Sequence, residues 1–218
     1  MAYISNAEVF GLESSIFRSG YPMRAEAPSC TEYTIEVKNI RQVIDRAQKE
    51  NNDLLLYQNT HINRAFKLAK AEGGGHDQFL TGIVVNFDLT LTNKAWVEAE
   101  RYTFLNFISS MSTMHRISAL PIKECCNRHV DPSAVELAEQ LQKKYNETED
   151  PEEKKIAYLD LLYNIPSGFE LMAGMTTNYR CLKNIYAQRR NHRLPDWHVV
   201  CDWIETLPLA KYLICVSK

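Results

Sequence analysis

Residues 176–197 form a local concentration of side chains that could bind an anion. Between Arg180 and Leu194 the sequence has six basic residues and no acidic one, although the whole protein has a formal net charge of −2. The basic residues are Arg180, Lys183, Arg189, Arg190, His192 and Arg193. Guanidinium groups donate paired hydrogen bonds to phosphate oxygens, and amide side chains both donate and accept. The segment therefore predicts an anion-binding element, and a solvated basic face is the alternative interpretation.

The spacing of apolar residues predicts that this segment is one helix, capped by Thr176 or Thr177 and ended by Pro195. Intervals of three and four residues define two faces of it. One face carries Leu182, Ile185, Tyr186 and Arg189, and another carries Arg180, Asn184 and Gln188. Because polar groups occur on two sides, we expect the helix to lie between an anionic ligand and a second surface.

Length and composition predict a globular protein with one domain over residues 1–218. The chain is 45% hydrophobic and 24% charged, which is sufficient for a sizeable core. The pI of about 6.3 argues against a protein that coats nucleic acid, since such proteins need a broad basic surface. We expect a cytoplasmic location without membrane association, because the sequence has no signal-peptide pattern at its start and no apolar run of membrane-spanning length.

The six cysteines do not predict a metal site. None forms a Cys-x-x-Cys pair, and Cys125–Cys126 with His129 has no second ligand pair at the spacing of a zinc finger. We therefore expect unreactive thiols and no bound metal.

Hydrophobic periodicity predicts one helix-rich α+β domain. The predicted helices cover 37–50, 54–71, 94–108, 132–145, 152–163 and 197–207, besides the basic helix. The predicted strands are 83–91, in which polar and apolar residues alternate, and 210–216 at the end. Residues 1–36 read as irregular structure with one or two short strands, 109–116 as a loop or broken helix, and the glycine run 73–75 as the end of the second helix.

Two stretches carry a resemblance to a known family. The first is GHDQFLTGIVVNFDLTL (75–91), and the second is IPSGFELMAGMTTNYRCLKNIYAQRR (165–190). In order and spacing they resemble the flavin-dependent thymidylate synthases, which have a Gly-His before a short helix and a strand. That family also has, near its end, a helix reading Asn-x-Arg-x-x-x-Asn with a basic residue beyond. The resemblance covers about 75–118 and 165–197, which is under half of the chain.

The resemblance implies transfer of a methylene group from methylenetetrahydrofolate to a uracil deoxynucleotide, with reducing power passing from NADPH through FAD. It also implies the fold of that family, which is α+β and helix-rich with a small antiparallel sheet. A homotetramer is implied as well, because the family builds its sites between subunits. The implied cofactor residues are His76, Asn178, Arg180 and Asn184. The implied substrate residues are Glu98, Arg101, Ser110, Ser112, Arg116 and Arg189, with Arg101 and Arg189 as the catalytic pair.

The middle of the chain departs from the family pattern on the nucleotide side. Of the family's Arg-His-Arg-x-x-Ser motif only Arg101 stands, and Asn106 replaces the serine. Glu98 stands where the family has a glutamine, and Leu162 where it has an arginine. A carboxylate can accept from an exocyclic amine but cannot donate to a carbonyl, so Glu98 favours a cytosine-like edge. Two alternatives therefore stay open: an enzyme that modifies another pyrimidine nucleotide, and a nucleotide-binding protein without catalysis.

Overall fold

Helices and one small antiparallel sheet make up the fold, as the sequence predicted. The computed structural model describes residues 2–71 and 75–216. The strands are β1 (Tyr3–Phe10), β2 (Val84–Thr92), β3 (Asn106–Ser110) and β4 (Glu170–Asn178). The helices are α1 (Leu12–Arg18), α2 (Cys30–Lys49), α3 (Leu54–Gln58), α4 (Thr60–Lys70), α5 (Asn93–Ala99), α6 (Thr113–Arg116), α7 (Ile122–Cys125), α8 (Pro132–Glu147), α9 (Pro151–Tyr163), α10 (Tyr179–Arg189), α11 (Pro195–Glu205) and α12 (Ala210–Leu213). None of the helices in the described part of the chain has the length and apolar character needed to cross a membrane.

The sheet has the strand order β1-β2-β4-β3. Strand β2 confirms the predicted alternation, since Val85, Phe87 and Leu89 are buried and the residues between them are partly exposed. Strand β3 pairs antiparallel with β4, and an irregularity between Phe107 and Ser109 shifts its register. All five residues of β3 are exposed, so this strand forms an open edge of the sheet.

The chain divides into two compact units. The first unit comprises Met1–Ala7, Phe87–Thr176 and Asn191–Val200, and the second comprises Glu8–Asn86, Thr177–Arg190 and Cys201–Lys218. The first unit has a buried apolar cluster made of Ile117, Leu120, Ile122, Ala138, Leu161 and Phe169. In the second unit the largest buried side chains come from α1, α2, α4 and α10. The single domain over 1–218 stays a prediction.

The predicted basic helix begins later and ends earlier than expected. Thr176 and Thr177 belong to strand β4, and the helix α10 starts only at Tyr179. Its cap is Asn178, whose side-chain oxygen accepts the backbone N–H of Cys181 at 2.9 Å. Alternating burial along β4 explains the strand, because every second residue from position 173 to 177 faces the core. Helix α10 ends at Arg189, and Pro195 starts α11 instead of ending a helix, as its preference for first helical positions allows.

The predicted helix over 94–108 is wrong beyond Ala99. Helix α5 begins as expected, with the Thr92 hydroxyl accepting the N–H of Ala95 at 3.1 Å. A turn follows, and the chain then enters β3 instead of continuing as a helix. The reason is tertiary: β3 satisfies its backbone groups on β4, and the ring of Phe107 packs at 5.1 Å from that of Trp96. Segment 109–116 contains the end of β3 and the short helix α6.

The N-terminal prediction underestimates the regular structure. Residues 1–36 contain β1, α1 and the start of α2, which Ser29 caps by accepting the N–H of Glu32 at 3.0 Å. The predicted helix over 54–71 is broken into α3 and α4 at Asn59, whose side chain caps α4. The glycine run is only partly testable, because residues 73 and 74 lie outside the described chain.

The last predicted strand is a helix. Residues 210–213 form α12, and backbone hydrogen bonds from Leu213 to Leu209 and from Ile214 to Ala210 are those of a helical turn. An apolar run of this length fits a buried helix as well as a strand, so its composition could not separate the two. The helices α8 and α9, by contrast, confirm the predicted 132–145 and 152–163 with small extensions.

Gly11 is required by the backbone of the second unit. Its φ of 75° lies in the left-handed region, and a Cβ atom there would come within 2.5 Å of the Gly82 carbonyl oxygen. Gly75 has a similar φ of 71° but an open environment, with no atom within 4 Å of the added Cβ.

Candidate functional site

The predicted site residues are divided between the two units. The second unit contains His76, Asn178, Arg180, Asn184 and Arg189. The first unit contains Glu98, Arg101, Ser110, Ser112 and Arg116. All predicted cofactor residues therefore belong to the second unit, and Arg189 is the predicted nucleotide residue that joins them there.

Arg180 is held by side chains from the turn that follows His76. Its Nε donates to Asp77 Oδ1 at 3.2 Å, and its Nη1 donates to Gln78 Oε1 at 2.7 Å. Arginine has five N–H donors, so these two bonds leave the Nη2 edge without an acceptor among the described residues. The side chain is 39% exposed. The second unit thus presents a guanidinium group that is held at two of its nitrogens and whose Nη2 donors are available to an anion.

Lys183 shares the same carboxylate. Its Nζ donates to Asp77 Oδ2 at 2.9 Å and to the Ala69 carbonyl oxygen at 2.7 Å, and its side chain is only 18% exposed. Burial raises the pKa of the Asp77 carboxyl, but hydrogen bonds and charge from Lys183 and Arg180 outweigh it and hold that pKa below its ordinary value. One carboxylate therefore faces two cations, and an excess of positive charge remains.

Asn178 caps helix α10, in addition to its predicted role in binding the cofactor. Its side-chain oxygen caps α10, so the oxygen is occupied and the Nδ2 donor is the group that a ligand could use. Asn184 is exposed on α10, and His76 is exposed in the turn before the 3₁₀ helix Gln78–Gly82. These donors and the Nη2 edge of Arg180 fit a polar ligand that carries negative charge.

Arg189 lies in the last turn of α10 and is buried with the apolar face of that helix. The sequence pattern placed it on the same face as Leu182 and Ile185, and both of these are buried too. Hydrogen bonds to a guanidinium are stronger where water is excluded. Arg189 stays a predicted nucleotide ligand and catalytic residue.

Glu98 is engaged by other residues of the first unit. Its carboxylate accepts the indole N–H of Trp197 at 3.2 Å and lies 3.4 Å from His192 Nε2. Lys94 Nζ is 3.6 Å away, and the Glu98 side chain is 13% exposed. Trp197 itself is 1% exposed. The carboxylate that the sequence assigned to a nucleotide base therefore anchors a buried tryptophan.

The other predicted nucleotide residues lie at two places in the first unit. Arg101 is exposed in the turn after α5. Ser110 ends β3, and Arg116 is exposed at the end of α6. Ser112 caps α6, and its Oγ lies 3.0 Å from His115 Nδ1. The three candidates at positions 110–116 are thus close in sequence and accessible, whereas Arg101 comes from a different turn.

Sequence reasoning missed Asp77 and Gln78 as site residues. Both follow His76 directly, so the Gly-His motif could have drawn attention to them. Their partners are more than 100 positions away, and no local pattern indicates that pairing.

Cysteine, histidine and acidic side chains are possible metal ligands, and cysteines are also possible nucleophiles. In residues 2–71 and 75–216 no three His, Cys, Asp or Glu side chains are grouped so as to hold a metal ion. Burial raises the pKa of the Cys201 thiol to about 12 and raises the pKa values of Cys125 and Cys126 as well. A raised thiol pKa lowers the fraction of nucleophilic thiolate.

The architecture is that of the flavin-dependent thymidylate synthases, and solved structures with this fold cover nearly the whole chain. ThyX from Helicobacter pylori, complexed with FAD and dUMP, is similar with a TM-score of 0.58 and 15% identity, over 98% of this chain and 97% of that one. A second ThyX structure from the same organism with the same ligands gives 0.56 and 15%, over 99% and 98%. The UMP/dUMP methylase PolB from Streptomyces cacaoi, bound with 5-Br dUMP, gives 0.53 and 12%, over 97% and 90%.

Neither a protein-family model nor a curated protein sequence matches the chain. The similarity is therefore one of fold, and the activity of this chain has to be argued from its own residues.

Proposed function

We propose that the chain is a diverged flavin-dependent thymidylate synthase. It would transfer a methylene group from methylenetetrahydrofolate to a pyrimidine deoxynucleotide, giving a dTMP-like product. FAD, when bound, would carry reducing equivalents from NADPH to the transferred carbon. The enzyme would act in the cytoplasm on a free nucleotide, without membrane or nucleic acid.

The observation that carries this proposal is the accessible guanidinium of Arg180 in a fold shared with FAD-binding enzymes. A dinucleotide cofactor has a pyrophosphate that accepts paired hydrogen bonds from arginine. The remaining donors of Asn178 and Asn184 suit carbonyl and ring-nitrogen acceptors of a flavin or adenine. His76 lies next to the residues that hold Arg180. The donor set of the second unit therefore fits FAD.

For the nucleotide, the first unit offers exposed cations and hydroxyls, and Arg189 in the second unit is the remaining proposed ligand. Arg101 and Arg116 would pair with the phosphate or a base carbonyl, and Ser110 and Ser112 would add hydroxyl hydrogen bonds. Arg101 and Arg189 would stabilise negative charge that develops on the pyrimidine during transfer. No cysteine nucleophile is required, which fits the raised pKa of Cys201.

We further propose a homotetramer. The first unit exposes large apolar side chains that subunit contacts would cover. They are Val97, Phe104, Phe107, Ile108, Met114 and Tyr163. Light scattering after size-exclusion chromatography should give four times the monomer mass, and a monomer at micromolar concentration would contradict this part of the proposal.

A second candidate function is nucleotide binding without catalysis. It is favoured by the engagement of Glu98 with Trp197 and His192, since this removes one polar group from the expected nucleotide site. The same observation weakens the third possibility, in which Glu98 recognises a cytosine-like base.

The visible absorption spectrum tests the proposal. Purified protein is mixed with FAD, desalted, and its retained flavin is measured, after which dUMP and dCMP are titrated. Arg180→Ala should weaken FAD binding about 10- to 100-fold, since charge-assisted hydrogen bonds contribute roughly 1.5–3 kcal/mol. The matched control is Arg190→Ala, because Arg190 directly follows the same helix but pairs with Asp202 at 2.6 Å.

Each outcome of this experiment decides between the candidates. Retained FAD with NADPH-dependent conversion of dUMP supports the thymidylate synthase proposal. Tight nucleotide binding without turnover supports the binding protein. Tighter binding of dCMP than of dUMP supports an enzyme that modifies another pyrimidine nucleotide. Absence of retained flavin in the wild type rejects FAD as the cofactor.

A further inference from the structure

We propose that Asp77 is a positioning residue for the anion site of α10: it orients Arg180 so that the Nη2 edge meets the ligand's phosphate groups. The inference rests on the proposed function for the identity of the ligand, a nucleotide with a pyrophosphate group. Asp77 would not touch the ligand itself.

The two oxygens of Asp77 have separate tasks. Oδ2 binds Lys183, which is anchored at 2.7 Å on the Ala69 carbonyl oxygen near the end of α4. Oδ1 accepts a hydrogen bond from Nε of Arg180 at 3.2 Å. Because Lys183 is largely buried and has a backbone partner, it serves as the fixed point of the assembly. Asp77 transmits that fixed position to the more exposed arginine.

The choice of arginine atoms determines which edge remains for a ligand. Bonds at Nε and Nη1, together with the covalent attachment through Cδ, restrict the orientation of the rigid planar guanidinium group. A free arginine side chain loses rotamer entropy when it is immobilised. In this structure much of that entropy is already lost before a ligand arrives. A preorganised donor binds its ligand more tightly than a mobile one.

The direction in which Asp77→Asn changes ligand affinity distinguishes a positioning role of Asp77 from a purely electrostatic one. Asp77 is negative and close to the anion site, so its charge alone opposes the binding of a phosphate. Asp77→Asn removes this repulsion, and a purely electrostatic role predicts tighter binding. A positioning role predicts weaker binding, because an amide can accept from only one side and its NH₂ group would face a cation. A role in folding alone predicts no change in the affinity of the folded protein.

The experiment measures FAD affinity by flavin fluorescence in the wild type, Asp77→Asn, Arg180→Ala and the double variant. Asp77→Asn should weaken binding about tenfold as the orientation of Arg180 is lost. In the Arg180→Ala background the same substitution should have no weakening effect, because the residue through which it acts is gone. Asp202→Asn, at an exposed arginine pair of the same unit, should leave affinity unchanged.

A second variant covers the case in which Asp77→Asn does not fold. Gln78 is exposed, so Gln78→Ala should fold, and loss of the Nη1 acceptor should weaken binding about threefold in the same Arg180-dependent way. Tighter or unchanged binding in Asp77→Asn, or equal effects in both Arg180 backgrounds, would overturn the inference.

Inorganic pyrophosphate is the second probe, and it separates the two proposals. If FAD fails to bind but pyrophosphate shows the coupling of Asp77 with Arg180, the cofactor assignment is wrong and the positioning role stands. If neither probe binds the wild type, both proposals are rejected.

Discussion

Replacing Glu98 should affect stability much more than nucleotide choice, because its carboxylate is bound by other protein groups. Two substitutions separate the contributions. Glu98→Gln keeps an acceptor for Trp197 and removes the charge, whereas Glu98→Ala removes both. The distances to Trp197, His192 and Lys94 decide how much each change costs.

The free energies follow from the partners. A hydrogen bond to a charged group contributes about 1.5–3 kcal/mol and a neutral one about 0.5–1.5, so the charge on the Trp197 bond is worth about 1 kcal/mol. The pairs with Lys94 and His192 add roughly 0.5 kcal/mol each. Glu98→Gln should therefore cost about 2 kcal/mol. Glu98→Ala also leaves the indole N–H of a tryptophan that is 1% exposed without an acceptor, for a total of about 4 kcal/mol.

Thermal unfolding followed by circular dichroism measures both variants. For a chain of this size the melting temperature should fall by roughly 4–8 °C for Glu98→Gln and about twice that for Glu98→Ala. Glu100→Gln is the matched control, since Glu100 is exposed just beyond α5 and should change stability by less than about 0.5 kcal/mol. Titration of dUMP and dCMP into the folded Gln variant measures the nucleotide preference.

One pattern of results would refute this reasoning. Suppose that Glu98→Gln has the melting temperature of the wild type but reverses its preference between dUMP and dCMP. The carboxylate would then face the nucleotide and would not anchor Trp197. Unchanged preference together with the expected loss of stability would confirm the structural task.

Three further predictions concern the second unit. Gly11→Ala should destabilise by more than about 3 kcal/mol, whereas Gly75→Ala, with a similar φ but open space, should cost only about 1–2 kcal/mol by chemical denaturation. An aromatic disulfide reagent at pH 8 should modify exposed Cys30 rapidly and spare Cys201, whose pKa burial raises to about 12; a Cys30→Ser variant that keeps the fast phase would contradict this. Burial raises the pKa of Asp77, but its cationic partners hold it below the ordinary value of 3.8. The stability that Asp77 contributes is thus present above that value and lost as the pH falls through the folded pKa, so wild type and Asp77→Asn should converge in acid.

Local sequence patterns predicted the parts of the fold that depend on local contacts. Strict alternation identified β2, and continuous helical spacing identified α8 and α9. Strand β4 was missed, because apolar residues flank both sides of Gly174 and hide the period of two. Strand β3 was missed for a related reason: its residues are all exposed, and it is a strand only because β4 lies beside it.

The candidate site was predictable as a set of residue types and not as a set of contacts. The cations and amides of α10 are apparent in the sequence, and the Arg180 side chain is 39% exposed. The contacts that define their environment join distant positions, as Asp77 does with Lys183 and Glu98 does with Trp197. Pairing of this kind depends on the folded backbone, and the same carboxylate could equally have faced solvent or a ligand.

The direct passage from β4 into α10 sets a limit on how the length of the chain can vary. No residue separates the strand from the helix, and Asn178 is both the last strand position and the helix cap. One inserted residue after Asn178 would turn every later side chain of the helix by about 100° about its axis. Arg180 would then lose Asp77, and Leu182 would leave the core at the same time. Insertions and deletions in related chains should therefore fall in turns such as 100–105 and 148–150, while the interval from Thr177 to Arg189 keeps a constant length.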